Sequence, residues 1–288
     1  MEPAAPLKVI AAAALFSTGG AAIKACSLTG MQVAGLRSGI AALTLLVLLP
    51  AARRRWSAST FVIGATYAAT LISYVLANKL TTAAGTIFLQ STAPLYLLLL
   101  GPWLLREPVH RRDIAFIASI AIGMAMFFVG TDAPLATAPD PFLGNIFGAL
   151  SGVLWAFTLT GFRWVAREHR EAGSAAVLAF AGNLLVALAC LPSLIPLPAF
   201  TAADLAVIPY LGIFQIGLAY VFLVGGIRHV HALTASLLLL IEPVLNPIWA
   251  WLFQSEIPGT WTITGGVIIM TTTAIKSWTD FRRKPITS

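Results

Sequence analysis

Glu242 stands inside "LTASLLLLIEPVLNPIWAWLFQ", residues 233–254, with no other charge in the run. Placing a carboxylate at the centre of a hydrocarbon layer costs about 2.5–3.5 kcal/mol, so it must face a partner or a polar interior. Of the eleven acidic residues it alone falls near the middle of an apolar segment. The chemistry it offers is proton carriage or gating, or else a hydrogen bond across to another helix. Two more carboxylates stand out by spacing. "TAPLYLLLLGPWLLREP" (92–108) and "IEPVLNPIWAWLFQSEIP" (241–258) each carry a proline and, thirteen residues on, a glutamate. Pro94 and Glu107 thus recur 149 residues later as Pro243 and Glu256. Both glutamates precede a helix start, with Asp113 or Thr260 nearby. Acidic groups are favourable there, so hairpin capping is their expected role.

Signals of bond-making chemistry are missing. There is no G-x-x-x-x-G-K-[ST] loop for a nucleotide. His110, His169, His229 and His231 fall in predicted loops, and a His-x-His pair with no nearby carboxylate or cysteine is a weak metal signal. Cys26 and Cys190 read as free apolar thiols near helix ends. The chain is expected to be no enzyme and to need no cofactor or metal.

Aromatic and amide side chains suggest binding instead. Trp56, Trp103, Trp164 and Trp278 lie at one predicted boundary, and Trp249, Trp251 and Trp261 toward the other, as interface belts do. Only Trp155 is mid-span, and Phe16 holds the equivalent place in the first half. Tyr74, Gln90, Gln215 and Tyr220 lie at comparable depth, and Lys24 sits about two turns from Phe16. These seven are the candidate substrate-binding residues. Flat rings stack on aromatic faces, which also attract organic cations. Lys24 offers either attraction for a carboxylate or a snorkelling contact with the surface. Core packing and helix joining are the competing roles. Pro94, Pro243 and Pro247 interrupt their helices and are candidate hinges. "STGGAA" and "GLRSG" permit close helix contact.

Such residues need a scaffold, and composition says which. Of 288 residues 58% are hydrophobic and 10% charged, with a mean hydropathy of +0.88. Soluble chains carry about 25% charged residues, so the solvent of this one is largely lipid. The first apolar stretch is too long for a signal peptide and reads as a membrane helix. Roughly 20 apolar residues span a bilayer. Ten spans result: 7–28, 32–52, 59–78, 83–105, 113–131, 143–165, 173–192, 203–224, 232–253 and 260–279. With both termini in the cytoplasm, fifteen of the eighteen basic residues fall on the inner face. Lys24, Arg37 and Lys79 lie toward the other. The net charge of +7 therefore expresses topology and contact with anionic lipid, not nucleic acid.

Five spans per half is an odd number, so the halves enter the membrane in opposite senses. The expected fold is an all-α polytopic membrane protein of ten transmembrane helices in two inverted five-helix repeats, residues 1–132 and 142–288, joined by "TDAPLATAPDPF" (131–142). Inverted repeats are a frequent build for secondary transporters, with the binding site near mid-membrane at the repeat interface.

Helix 8, "YLGIFQIGLAYVFL", with Gly212, Gly217, Ala219 and Tyr220, helix 9, "LTASLLLLIEPVLNPIWAWLFQSE", and helix 4, "AAGTIFLQSTAPLYLLLLGPWLLRE", resemble the drug/metabolite transporter superfamily, EamA type, over nearly the whole chain. Within it the chain is most similar to the YddG-type aromatic amino-acid exporters. The first half departs from the second in having Ala93 where helix 9 has Glu242, which leaves a carboxylate mechanism asymmetric. The resemblance implies a multi-pass exporter of small metabolites in the bacterial cytoplasmic membrane, working without ATP hydrolysis. An uptake carrier or exchanger of the same fold, or a channel or structural membrane protein, is the alternative. Partners are the solute and the bilayer; monomer and homodimer stay equally open. Cysteines introduced at Ala136 and Ala199 are expected to react with an impermeant thiol reagent from the outer side of intact cells stripped of an outer-membrane barrier. Labelling from the cytoplasmic side alone would overturn the ten-span topology.

Overall fold

The computed structural model describes residues 4–100, 111–129, 134–169, 174–227, 229–230 and 232–281. Among these residues ten helical spans follow one another, here named α1 (Ala5–Ala25), α2 (Gly30–Leu48), α3 (Ala58–Leu80), α4 (Ala83–Leu100), α5 (Arg111–Val129), α6 (Pro141–His169), α7 (Ser174–Ala189), α8 (Ala202–Ile227), α9 (232–254) and α10 (Thr260–Phe281). No strand occurs among the described residues. Seven spans are long and apolar enough to cross a bilayer, and two shorter apolar stretches, Asp113–Val129 and Ala175–Ala189, accompany them. α10 is equally long but rich in threonine. Bounds differ from the sequence expectation by a few residues, as helix ends do. The starts are set locally. Thr29 with Gln32, Ser57 with Thr60 and Thr201 with Asp204 form reciprocal capping boxes at α2, α3 and α8.

The most extensive contacts between helices obey a pseudo-two-fold rule. Exchange each helix for the one five places on. The α3–α6 contact maps onto α8–α1, α4–α6 onto α9–α1, and α3–α7 onto α8–α2, while α2–α7 and α5–α10 map onto themselves. All of these contacts are present. The molecule is thus two interlocked five-helix units, with α1 and α6 each reaching into the opposite half.

Among the described residues four spans are irregular. α1 breaks at Thr18, α4 at Ser91 and Thr92, and α9 at Leu240. At each break one amide reverts to an i→i−3 bond: Thr18 to Leu15, Thr92 to Leu89, Leu240 to Leu237. Ser91 and Leu240 are 149 residues apart, the offset of the proline–glutamate pattern. Pro94 and Pro243, three residues beyond, supply no N–H to the preceding turn, which explains both interruptions. α8 contains Pro209 and then runs as a π-helix from Leu211 to Leu218.

Small residues set the closest approaches. A Cβ on Gly144 of α6 would lie 2.5 Å from the Thr81 amide nitrogen at the end of α3. That neighbour is backbone and cannot swing aside. Gly144→Ala is expected to lower stability by about 1–3 kcal/mol through overpacking, read as a lower unfolding temperature of the detergent-purified protein. Gly39→Ala is the control: its new Cβ meets only Ala187 at 3.6 Å, and stability should hold or rise.

Candidate functional site

The break in α1 exposes backbone that must be satisfied from within. Gln215 Nε2 donates to the Phe16 carbonyl at 3.3 Å. Ser17 Oγ accepts from Trp249 Nε1 at 2.9 Å, and Thr18 Oγ1 accepts from the Tyr210 hydroxyl at 2.9 Å. Helices α8 and α9 therefore grip α1 at its weakest point through polar tips. Close approach needs Gly19 and Gly20: Cβ atoms there would meet Gln215 Nε2 at 2.8 Å and Asn246 Oδ1 at 2.7 Å.

The π segment of α8 decides which of its side chains face inward. Residues five apart point away from one another in an α-helix of about 3.6 residues per turn. A π turn bonds i to i+5 and brings them back toward one side. Tyr210, Gln215 and Tyr220 are five apart, and all three reach interior partners. Tyr220 donates its hydroxyl proton to the Tyr67 hydroxyl at 2.5 Å.

Around that bond lies an aromatic cluster. Phe16 meets Tyr220 edge-on with centroids 5.4 Å apart, and Tyr67 lies 5.9 Å from Trp155 and 6.2 Å from Phe162. The structure thus brings Phe16, Trp155 and Tyr220 together, with Tyr67 as the hub. Tyr67 was missed in sequence because α3 carries no local irregularity to mark it. Tyr74, two turns along the same face of α3, accepts from Asn246 Nδ2 at 3.3 Å. Glu242 opens the second segment of α9 one turn before Asn246; it is partly buried and within electrostatic reach of Tyr67, Tyr74 and Tyr220. Gln90 ends the first segment of α4, partly buried beside the break.

Several buried polar atoms in this interior have no hydrogen-bond partner: Asn78 Oδ1, Asn183 Oδ1, Gln215 Oε1, Asn246 Oδ1 and Arg37 Nε. Each orphan costs about 1–3 kcal/mol.

Three sequence expectations need correcting. Trp249 is not an interface-belt residue, because its indole N–H points inward to Ser17. Lys24 does not snorkel to a membrane surface. Lys79 donates to the Cys26 carbonyl at 2.6 Å, Arg37 is 1% exposed, and Lys24 is engaged in a buried ion pair. Glu256 does not cap its own hairpin. The left-handed Ser255 (φ 53°) turns the chain inward, and Glu256 accepts the Ala83 amide at 2.6 Å, the first turn of α4. Its other oxygen lies 2.9 Å from Lys24 Nζ, with the two side chains 1% and 2% exposed. Lys24 also donates to the Thr81 carbonyl at 2.8 Å and to that of Thr137. One charge pair therefore ties α1, α4, α9 and the segment before α6, at the end of the bundle remote from the chain termini. Glu107, its counterpart by sequence, and His110 and His231 lie outside the described residues, as does the boundary at residue 132.

Cys26 and Cys190 are both free and buried, and burial pushes the Cys26 thiol up to about 11. Among the described residues no three His, Cys, Asp or Glu side chains are grouped to hold a metal ion. An apolar crevice of about 430 Å³ runs between α9 and α10, lined by Pro243, Pro247, Trp251, Ile263 and Gly266. It is separate in character from the polar interior. Val244, Trp251 and Val267 on its rim are more than half exposed, which marks it as a lipid-facing feature.

Broken helices, buried polar contacts between them and two-fold exchange of contacts describe a multi-pass helical membrane protein. The EamA-like transporter family model matches twice, over residues 4–129 and 142–278, one match per five helices, and the chain belongs to that family. It is a transporter and not an enzyme. It is 27% identical over 271 residues to the pseudopaline exporter CntI of Pseudomonas aeruginosa (strain UCBPP-PA14), covering 92% of each chain. A solved crystal structure superposes with a TM-score of 0.61 at 21% identity, covering 98% of this chain and 99% of that one, a likeness of fold alone.

Removing one partner of a buried ion pair strands the other. Lys24→Met is expected to cost about 3–5 kcal/mol. Lys24→Met with Glu256→Gln should recover most of that loss, because the glutamine still accepts the Ala83 amide. Thermal unfolding of the three proteins checks both statements; a double variant no more stable than Lys24→Met would show that the pair is not the coupled unit.

Proposed function

We propose that this chain exports small organic solutes with a flat apolar body and a polar end, aromatic amino acids foremost, across the bacterial cytoplasmic membrane by alternating access. The observation that carries the reading is the polar, aromatic-walled interior where α8 and α9 grip the break in α1. Trp155, Phe16, Tyr67 and Tyr220 form its ring-bearing wall. Unsatisfied amide oxygens supply the polar remainder. The exporter among the relatives supports the outward direction.

In this reading both termini are cytoplasmic, and the Lys24–Glu256 pair closes the periplasmic end. Opening that end separates α1 from α9, with the interruptions beside Pro94 and Pro243, and Pro247 inside the second α9 segment, as hinges. Glu242, facing the tyrosine cluster from the start of the second α9 segment, couples the movement to a proton or gates it. The two repeats, 1–132 and 142–288, are the bodies that rock against each other.

Reconstituted protein should take up tryptophan and phenylalanine saturably into liposomes and discriminate against alanine. Trp155→Ala should raise the KM for tryptophan about tenfold, the scale of a lost aromatic contact with its buried area. Glu242→Gln should abolish dependence on an imposed pH gradient while ligand binding persists. Equal handling of alanine and tryptophan overturns the aromatic reading. An unchanged response of Glu242→Gln to pH leaves Glu242 as a packing residue.

A further inference from the structure

Arg37 lies in the third turn of α2 and is 1% exposed, which makes it the bulkiest fully buried side chain among the described residues. A guanidinium carries five N–H donors and stays charged, so in a protein interior it is met by carboxylates or by a fan of carbonyls. Arg37 has neither among the described residues: its Nε is unpartnered, and no ion pair engages it. The other two cations of this end, Lys24 and Lys79, are both spoken for. The ionisable groups around Arg37 are Tyr67 and Tyr74 from α3, Cys26 at the end of α1 and Cys190 beyond α7. None of them carries a negative charge at neutral pH. Tyr67 and Tyr74 also sense Glu242, so a spare cation and a spare carboxylate flank the same tyrosines from different helices.

The geometry points to Arg37 as the residue that binds the carboxylate of the transported solute, an inference that rests on the small-organic-solute reading above. An entering carboxylate meets two parallel N–H donors, the strongest neutralisation a guanidinium can receive. The remaining orphans match the rest of such a solute. Asn183 Oδ1, Gln215 Oε1 and Asn246 Oδ1 are acceptors awaiting donors, which an amine supplies. The aromatic wall beside Tyr67 takes the apolar body. The interior therefore asks for one anionic group with N–H donors beyond it, the pattern of an amino acid and not of a simple organic cation.

The test is binding by the purified full chain of four probes: phenylalanine, phenylalaninamide, leucine and leucinamide. Each amide removes the carboxylate charge and keeps the side chain and amine. Wild type is expected to bind each acid at least about tenfold tighter than its amide, the scale of one charge-assisted contact. Arg37→Gln should bring that ratio near unity, and Arg37→Lys, a point charge without the fork, should leave it in between. Equal affinity of acid and amide in wild type, or no binding of either acid, overturns the proposal. So does an Arg37→Gln variant that weakens all four probes alike, which is the result of a merely structural arginine. If Arg37→Gln does not fold, an unchanged acid-to-amide ratio in Arg37→Lys overturns it instead. The aromatic reading is decided separately, by phenylalanine against leucine. Acid preference without aromatic preference supports Arg37 and removes the aromatic cargo; aromatic preference with acid and amide equal does the reverse.

Discussion

A backbone group released from a helix inside a lipid layer finds no water to replace its partner. Everything particular about this bundle follows from where it releases such groups and what it places opposite them. α1 opens at Thr18, and the consequences converge there. Gln215 covers the Phe16 carbonyl, while Tyr210 and Trp249 engage the hydroxyls that have turned back onto the helix. Those partners come from α8 and α9, which by the exchange of helices stand to α1 as α3 and α4 stand to α6. The polar interior is thus a by-product of satisfying an interrupted helix. Its surplus atoms, the amide oxygens and the guanidinium, are what remain once the helix itself is served.

The coarse architecture was legible because lipid imposes long apolar runs and because fifteen of the eighteen basic residues fall on one side of a ten-span count. The 149-residue offset was legible for a more specific reason. Pro94 and Pro243 interrupt helices by the same removal of an N–H, so the interruptions at Ser91 and Leu240 keep the same spacing. The candidate site was legible only in part. Phe16, Trp155 and Tyr220 could be picked out as polar-tipped or isolated aromatic residues at mid-depth, and they do meet. Arg37 could not. In a one-dimensional reading a basic residue near a span end is a topological marker, and nothing in "GLRSG" says that the side chain turns inward. Trp249 was misplaced for the same reason: depth along a helix is written in the sequence, but the direction a side chain takes at that depth depends on neighbours from other helices. Lys24 and Glu256, 232 positions apart, show the limit most plainly. Each looked like a local feature of its own helix end, and each is half of one contact.

That contact also explains why charges so costly in this setting are kept. A well-packed apolar pair in their place would often be as stable or more so. The ion pair differs from an apolar patch in being sharply dependent on alignment, because it is favourable only while Lys24 Nζ, the carboxylate and the carbonyls of Thr81 and Thr137 coincide. Four elements are therefore held together or released together.

The wide turn of α8 has a consequence for how the chain stores alternatives. Residues 211–218 hold one hydrogen-bond step more per turn than the helix on either side of them. Rewinding that stretch from i→i+5 to i→i+4 would twist Tyr210 and everything before it relative to Tyr220 and everything after, and would lengthen the segment along its axis. The inner face of α8 is thus a matter of winding number: the same eight residues can present two different sets of side chains, as a screw presents different flats of its head.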